Sequence, residues 1–175
     1  PLGLGTCLSL VGDASLYAVL PTHADAAGIS MASVGILLSA NRFVRLALNG
    51  PVGVAYARHS RRRLYVLALF LGALSTGIYA LTRGFWPLLA GRLLWGLAWA
   101  GIWIGGNAIV AEISHEDERG RWVGLYQGFF FLGASGGSIV GGLLTDRIGY
   151  HRTMGVAAGL TLIGALIALT SLPEV

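Results

Sequence analysis

The residues with chemistry to offer are charged side chains set inside apolar sequence. Asp13 stands in the first apolar run, Arg42 and Arg45 in the second, and Arg92 in the fourth. Ionisable groups at such positions are costly to place in a bilayer and mark functional sites. A carboxylate alone in that setting takes up a proton, whereas a neighbouring guanidinium holds it charged. An Asp and an Arg brought together there form a protonatable pair. At about 1.5 Å per residue, Asp13 lies about 12 Å from the end of its run and Arg92 about 9 Å from the start of its own. Arg42 and Arg45 lie about 18 and 22 Å from the start of theirs on the same rise. With the reach of an arginine side chain, Asp13, Arg92 and Arg42 are expected to share one central cavity. Arg42 and Arg45 are three apart and so share a helix face. The competing reading of Asp13 is a purely structural ion pair, because buried charges are normally paired. Gln127, in the fifth run, joins the expected cavity lining, while Asn41 and Asn107 read as helix–helix hydrogen-bonding groups.

Other chemistries find little support. The four histidines are scattered and Cys7 is the single cysteine, which excludes a disulfide framework and leaves no metal-ligand spacing. No GxxxxGK[ST] phosphate loop is present. Neither a metal nor a cofactor is expected.

The elements that must position these residues follow from composition. Of 175 residues, 55% are hydrophobic and 11% charged, against about 25% charged in an average soluble domain. Mean hydropathy is +0.71. Such a chain is neither disordered nor a soluble domain; it reads as integral to a membrane. A helix needs about 20 apolar residues to cross a hydrocarbon core of about 30 Å. Six stretches qualify, approximately 2–21, 29–56, 64–82, 86–112, 122–145 and 153–172. The expected fold is all-α, a polytopic six-helix transmembrane bundle. All the basic residues are arginines, interleaved with apolar runs, so the charge of +4 reads as orientation in a bilayer rather than as a nucleic-acid surface. With the N-terminus inside, the inner loops hold Arg58, Arg61, Arg62, Arg63, Arg119 and Arg121, and the outer loops hold Arg83, Arg147 and Arg152. That balance places both termini in the cytoplasm. The chain opens and stops at apolar runs without an initiating Met, and is expected to be part of a longer protein.

The fifth run, GLYQGFFFLGASGGSIVGGLL, carries Gly133, Gly137 and Gly141 at every fourth position. The bare stripe suits close packing or a rocking contact with another helix. Its Gly133-Ala134-Ser135-Gly136 segment also resembles the nucleophile motif of rhomboid intramembrane proteases. A serine nucleophile needs a base within hydrogen-bond reach, and the last run contains no His.

Together these features resemble the N-terminal half of a major facilitator superfamily transporter, over essentially the whole chain. The family signature between helices 2 and 3 is matched at Gly53, Arg58, Arg61 and Arg62, with Ala57 at its acidic position and Ser60 at its second glycine. Gly91, Arg92, Gly96 and Gly101 resemble the helix 4 signature, and Glu112 the acidic residue that follows it. The glycines of the helix 5 antiporter signature are matched at Gly133, Gly137, Gly141 and Gly142, with Ser138 in place of its proline. Residues 146–152 resemble the following loop of drug exporters. The resemblance implies secondary active transport of a small molecule by alternating access, coupled to protons, with drug or metabolite efflux from a cell through its inner (plasma) membrane, and no enzyme activity. It implies a substrate and protons as partners, beside the lipid bilayer, and a C-terminal six-helix half, or a second copy, completing the molecule. It places Asp13, Arg42, Arg45, Arg92 and Gln127 on the substrate and proton path, and assigns Gly53, Arg58, Arg61, Arg62 and Glu112 to a cytoplasmic gate. The mostly basic cavity leans toward an anionic or zwitterionic substrate. Trp95, Trp99 and Trp103, four apart, are either stacking surfaces for substrate or a packing ridge. A non-transporting membrane scaffold or receptor on the same fold is the alternative.

Overall fold

The computed structural model describes residues 1–173. They form α1 (Leu2–Val19), α2 (Met31–Arg58), α3 (Arg61–Leu81), α4 (Phe85–Ile113), α5 (Arg119–Ile148) and α6 (Tyr150–Ser171), with one 3₁₀ turn at Glu116–Glu118 before α5. No strand occurs among the described residues. All six helices are long and apolar enough to cross a membrane. The chain is therefore the all-α six-helix bundle that its hydropathy announces. α3 and α5 begin earlier than their apolar runs. Residues 61–63 and 119–121 are helical, because backbone bonding continues past the point where apolar side chains stop. Ser60 caps α3 by accepting from the Arg63 N–H at 3.4 Å.

The connections are short. Gly149 sits at φ +84° between α5 and α6, and Gly84 at φ +99° before α4. Both conformations suit a residue without Cβ. The Gly84 N–H donates to the Ala27 carbonyl at 2.8 Å, which ties the α3–α4 connection to the one between α1 and α2.

Packing neighbours run in the order α2, α4, α3, α6, α1, α5. The series does not close. α2 and α5 each have one extensive neighbour, and a gap lies between the wall made by α2 with α4 and the wall made by α1 with α5. Two apolar clusters fill the bundle. One, on the side of the termini, includes Leu10, Tyr65, Leu69, Trp95, Ile102 and Tyr126. The other includes Leu16, Leu20, Leu37, Tyr79, Leu88 and Met154. Position 13 falls between Leu10 and Leu16, and position 92 between Leu88 and Trp95, so the charged level separates the clusters. The polar residues of α3 and α6 serve packing. Ser75 donates to the Gly91 carbonyl at 2.8 Å and Thr161 to that of Ala157 at 3.0 Å. The outer surfaces of the same helices show Leu67, Leu74, Leu162 and Leu166.

Candidate functional site

Helical spacing assembles the site. Leu10, Asp13 and Tyr17 recur on one face of α1, Leu38, Asn41, Arg42 and Arg45 on one face of α2, and Arg92 and Trp99 on α4. The Arg92 guanidinium donates from Nη1 to Asp13 Oδ1 at 2.5 Å, from Nη2 to the Tyr17 hydroxyl at 3.0 Å, and from Nε to the Leu37 carbonyl at 3.2 Å. A longer bond of 3.5 Å reaches the Leu38 carbonyl. The guanidinium carbon also stands 4.9 Å from the centre of the Tyr17 ring. Tyr17 in turn directs its hydroxyl to the Leu38 carbonyl at 2.7 Å, with Asn41 Oδ1 at 3.2 Å. One cation thus joins α4 to α1 and α2.

Burial is unequal across the pair. The side chain of Arg92 is 1% exposed and that of Asp13 16%. Asp13 faces a hollow of about 290 Å³ lined from α1, α2, α4 and α5 by Tyr17, Asn41, Arg42, Arg45, Trp99, Phe130, Ala134 and Ser138 among others. Arg92 does not line this hollow; it lies behind Asp13. The expectation that both partners face the cavity is corrected accordingly: only the carboxylate is within reach of a proton or ligand there. Arg42 lies 5.9 Å from the Tyr17 ring centre and Arg45 6.0 Å from that of Trp99, so both cations rest against aromatic faces at the rim.

Gln127 is not in the lining. It sits on α5 one turn before Phe130, half-buried, and the α5 contribution comes instead from Phe130, Ala134 and Ser138. The tryptophans of α4 form a ridge. Trp95 and Trp99 stack with centres 6.1 Å apart, and Trp103 follows Trp99 at 5.9 Å. Trp95 is enclosed, and Trp99 alone of the three lines the hollow. Tyr17 is the residue that the sequence did not mark; its signal was its position one turn after Asp13. A second polar group also escaped notice. The Thr6 hydroxyl bonds the hydroxyls of Tyr65 and Tyr126 at 2.8 and 3.0 Å, linking α1, α3 and α5 on the side of the termini. Ser135, the protease-like serine, is exposed on α5, while every histidine sits at a helix end or in a connection.

The profile of the Major Facilitator Superfamily matches residues 2–175. The chain belongs to this superfamily. It is 30% identical over 151 residues to a "Probable 4-methylmuconolactone transporter" of Cupriavidus pinatubonensis, covering 86% of this chain and 35% of that protein. It is also 30% identical over 179 residues to the class C tetracycline resistance protein of Escherichia coli, covering 98% and 44%. Similarity to the inner membrane transport protein YajR of Escherichia coli is 27% over 178 residues, covering 98% and 38%. The chain spans less than half the length of each of these relatives. In this major facilitator bundle Glu112, at the end of α4, forms an ion pair with Arg61, at the start of α3. Arg62 donates to the Leu169 carbonyl at 2.5 Å. Arg58 ends α2, exposed, and a Cβ on Gly53 would meet open space. The helix 5 glycines divide. A Cβ on Gly133 would strike the Cys7 carbonyl, one on Gly137 would lie 2.8 Å from Val11 Cα, and one on Gly141 would strike Ser15. These three form the seat of α1. Gly142 has nothing within 4 Å and stands outside that contact.

Proposed function

We propose that this bundle is the N-terminal half of a secondary active transporter that moves a small organic molecule across the plasma (inner) membrane by alternating access, coupled to protons. The observation that carries the reading is the position of Asp13, open to the hollow on one side and bonded to enclosed Arg92 on the other. A proton arriving from the hollow cancels the carboxylate charge. Arg92 then keeps its bonds to Tyr17 and to the α2 carbonyls but loses its ionic hold on Asp13. The wall of α1 with α5 is thereby loosened from the wall of α2 with α4. A substrate shifts the same balance only through its different affinities for the two arrangements. Transporters of this architecture rock two bundles around a midplane site, and the open side between α2 and α5 is where the C-terminal bundle, or a second copy, packs. Arginine balance puts both termini in the cytoplasm. The Arg61–Glu112 pair then belongs to the inner gate.

Arg42 and Arg45 beside a single carboxylate favour an anionic or zwitterionic molecule, and Trp99 and Phe130 offer a flat apolar surface. The lactone transporter and the tetracycline resistance protein among the relatives support a small organic cargo, and resistance supports outward transport.

The test uses the full-length protein in proteoliposomes, with proton flux followed by a pH-sensitive dye as organic acids and tetracycline are added. Asp13→Asn is expected to abolish proton-driven accumulation of the responding compound while leaving its energy-independent exchange. Undiminished accumulation by Asp13→Asn would remove the coupling role. A wild-type protein that moves no compound, in a full-length form with intact binding partners, would favour the scaffold reading.

A further inference from the structure

One titratable side chain outside the Asp13 site stands where several elements meet. His151 is half-buried near the start of α6, on the face of the bundle away from the termini. Its Nδ1 lies 3.1 Å from the Ala80 carbonyl at the end of α3. Its Nε2 lies 3.0 Å from Arg83 Nε, in the α3–α4 connection, and 3.2 Å from the Ala26 carbonyl, in the α1–α2 connection. A carbonyl only accepts, so Nδ1 carries a proton. The neutral ring then has a bare lone pair at Nε2, which accepts from the Arg83 N–H and offers no donor to Ala26. An imidazolium reverses this. Its Nε2–H donates to the Ala26 carbonyl, while Arg83 loses its acceptor and faces a like charge. The two neighbours of Nε2 are alternatives, and one proton chooses between them. The other titratable and charged groups on the elements packed here are His23 and Asp25 in the α1–α2 connection, Tyr79 in the last turn of α3, Asp146 and Arg147 at the end of α5, and Tyr150 and Arg152 beside His151. The Tyr150 ring meets the imidazole edge-on at 5.1 Å, and no carboxylate bonds the imidazole among the described residues.

We propose that His151 is a proton-operated latch: a proton taken from solution at Nε2 breaks the bond from Arg83 and forms one to the Ala26 carbonyl. Acid thereby ties the α1–α2 connection to the start of α6 and frees the Arg83 side chain. The bond from Nδ1 to Ala80 persists in both states and holds the ring in place while its partner changes. The latch is separate from the hollow at Asp13 and stands whether or not that carboxylate carries protons.

Electron paramagnetic resonance of the full-length protein in detergent tests it, with a nitroxide on Ala26→Cys, an exposed position, as the single cysteine. As pH falls from about 8 to about 5, the range in which imidazole changes charge, the label is expected to lose mobility. H151Q should lose that response, and H23Q, which removes the imidazole of the α1–α2 connection itself, should keep it. R83Q removes both the donor that holds the neutral ring and the charge that opposes the protonated one, and should move the response to higher pH. Nitrogen NMR of the wild-type protein with labelled histidine rings needs no variant at all: at the alkaline end, a neutral ring protonated at Nδ1 and bare at Nε2 is expected. No histidine in that tautomer, a label whose mobility ignores pH, a response that survives in H151Q, or one that vanishes in H23Q would each overturn the proposal.

Discussion

At Arg92 a guanidinium almost fully withdrawn from solvent distributes its donors over a carboxylate, a phenol and two backbone carbonyls. Removing one partner of such a pair leaves the other as an uncompensated buried charge, a loss of about 3–5 kcal/mol in comparable pairs. Asp13→Leu is therefore expected to destabilise the bundle by about that amount. Asp13→Asn also removes the charge but keeps an acceptor oxygen for Nη1, and should cost less. The double variant D13L/R92L should recover part of the loss, since residues in one network are not additive. Chemical unfolding in detergent measures all three; a D13L loss that the second substitution merely adds to would mean that the pair holds nothing. The charged members of this site were legible because an Asp or Arg in an apolar run has no solvated face to explain it. Tyr17 was not, because an aromatic residue in such a run reads as ordinary packing until α1 meets α2. The depth of Arg92 behind Asp13 was hidden for the same reason: rise along a helix gives height in the bilayer, not which side of a neighbour a side chain takes.

The elements follow local rules more closely than the site does. Hydropathy located all six helices, yet α3 takes in Arg61–Arg63 and α5 takes in Arg119. Hydropathy marks the part of a helix that meets lipid, whereas the helix itself ends where capping and positive φ end it, as at Ser60 and Gly149. The glycine stripe of α5 was also legible as a bare face, but its partner was not. Only the packed bundle shows that α1 occupies it, and that Gly142 lies off it. Gly137→Ala would set a methyl group against the α1 backbone. Overpacking of that kind costs about 1–3 kcal/mol, and backbone cannot rotate aside as a side chain does. Gly142→Ala and Gly136→Ala, each in open space, meet no such contact and should leave unfolding midpoints unchanged or slightly raised, since alanine favours a helix over glycine by up to about 1 kcal/mol. If G137A unfolds with the same midpoint as G142A, α1 does not seat on this stripe.

For the whole molecule, six crossings put both termini on one side, together with the α2–α3 and α4–α5 connections. Which side that is was read from arginines: six flank the crossings on that face and three on the other. Arginine resists transfer across the membrane during insertion, so the richer face is expected to stay in the cytoplasm. The reading has a direct check that is independent of transport. Cys7 lies within α1, half-buried, so a Cys7→Ser background frees the chain for single-cysteine reporters. Ser60→Cys and Gly120→Cys sit on the arginine-rich face, and Asp25→Cys sits in the α1–α2 connection on the opposite face. In intact cells a membrane-impermeant maleimide should label only the Asp25→Cys protein, and permeabilisation should add the other two. The inverse pattern would turn the bundle over. The Arg61–Glu112 pair would then lie at the outer end of the bundle.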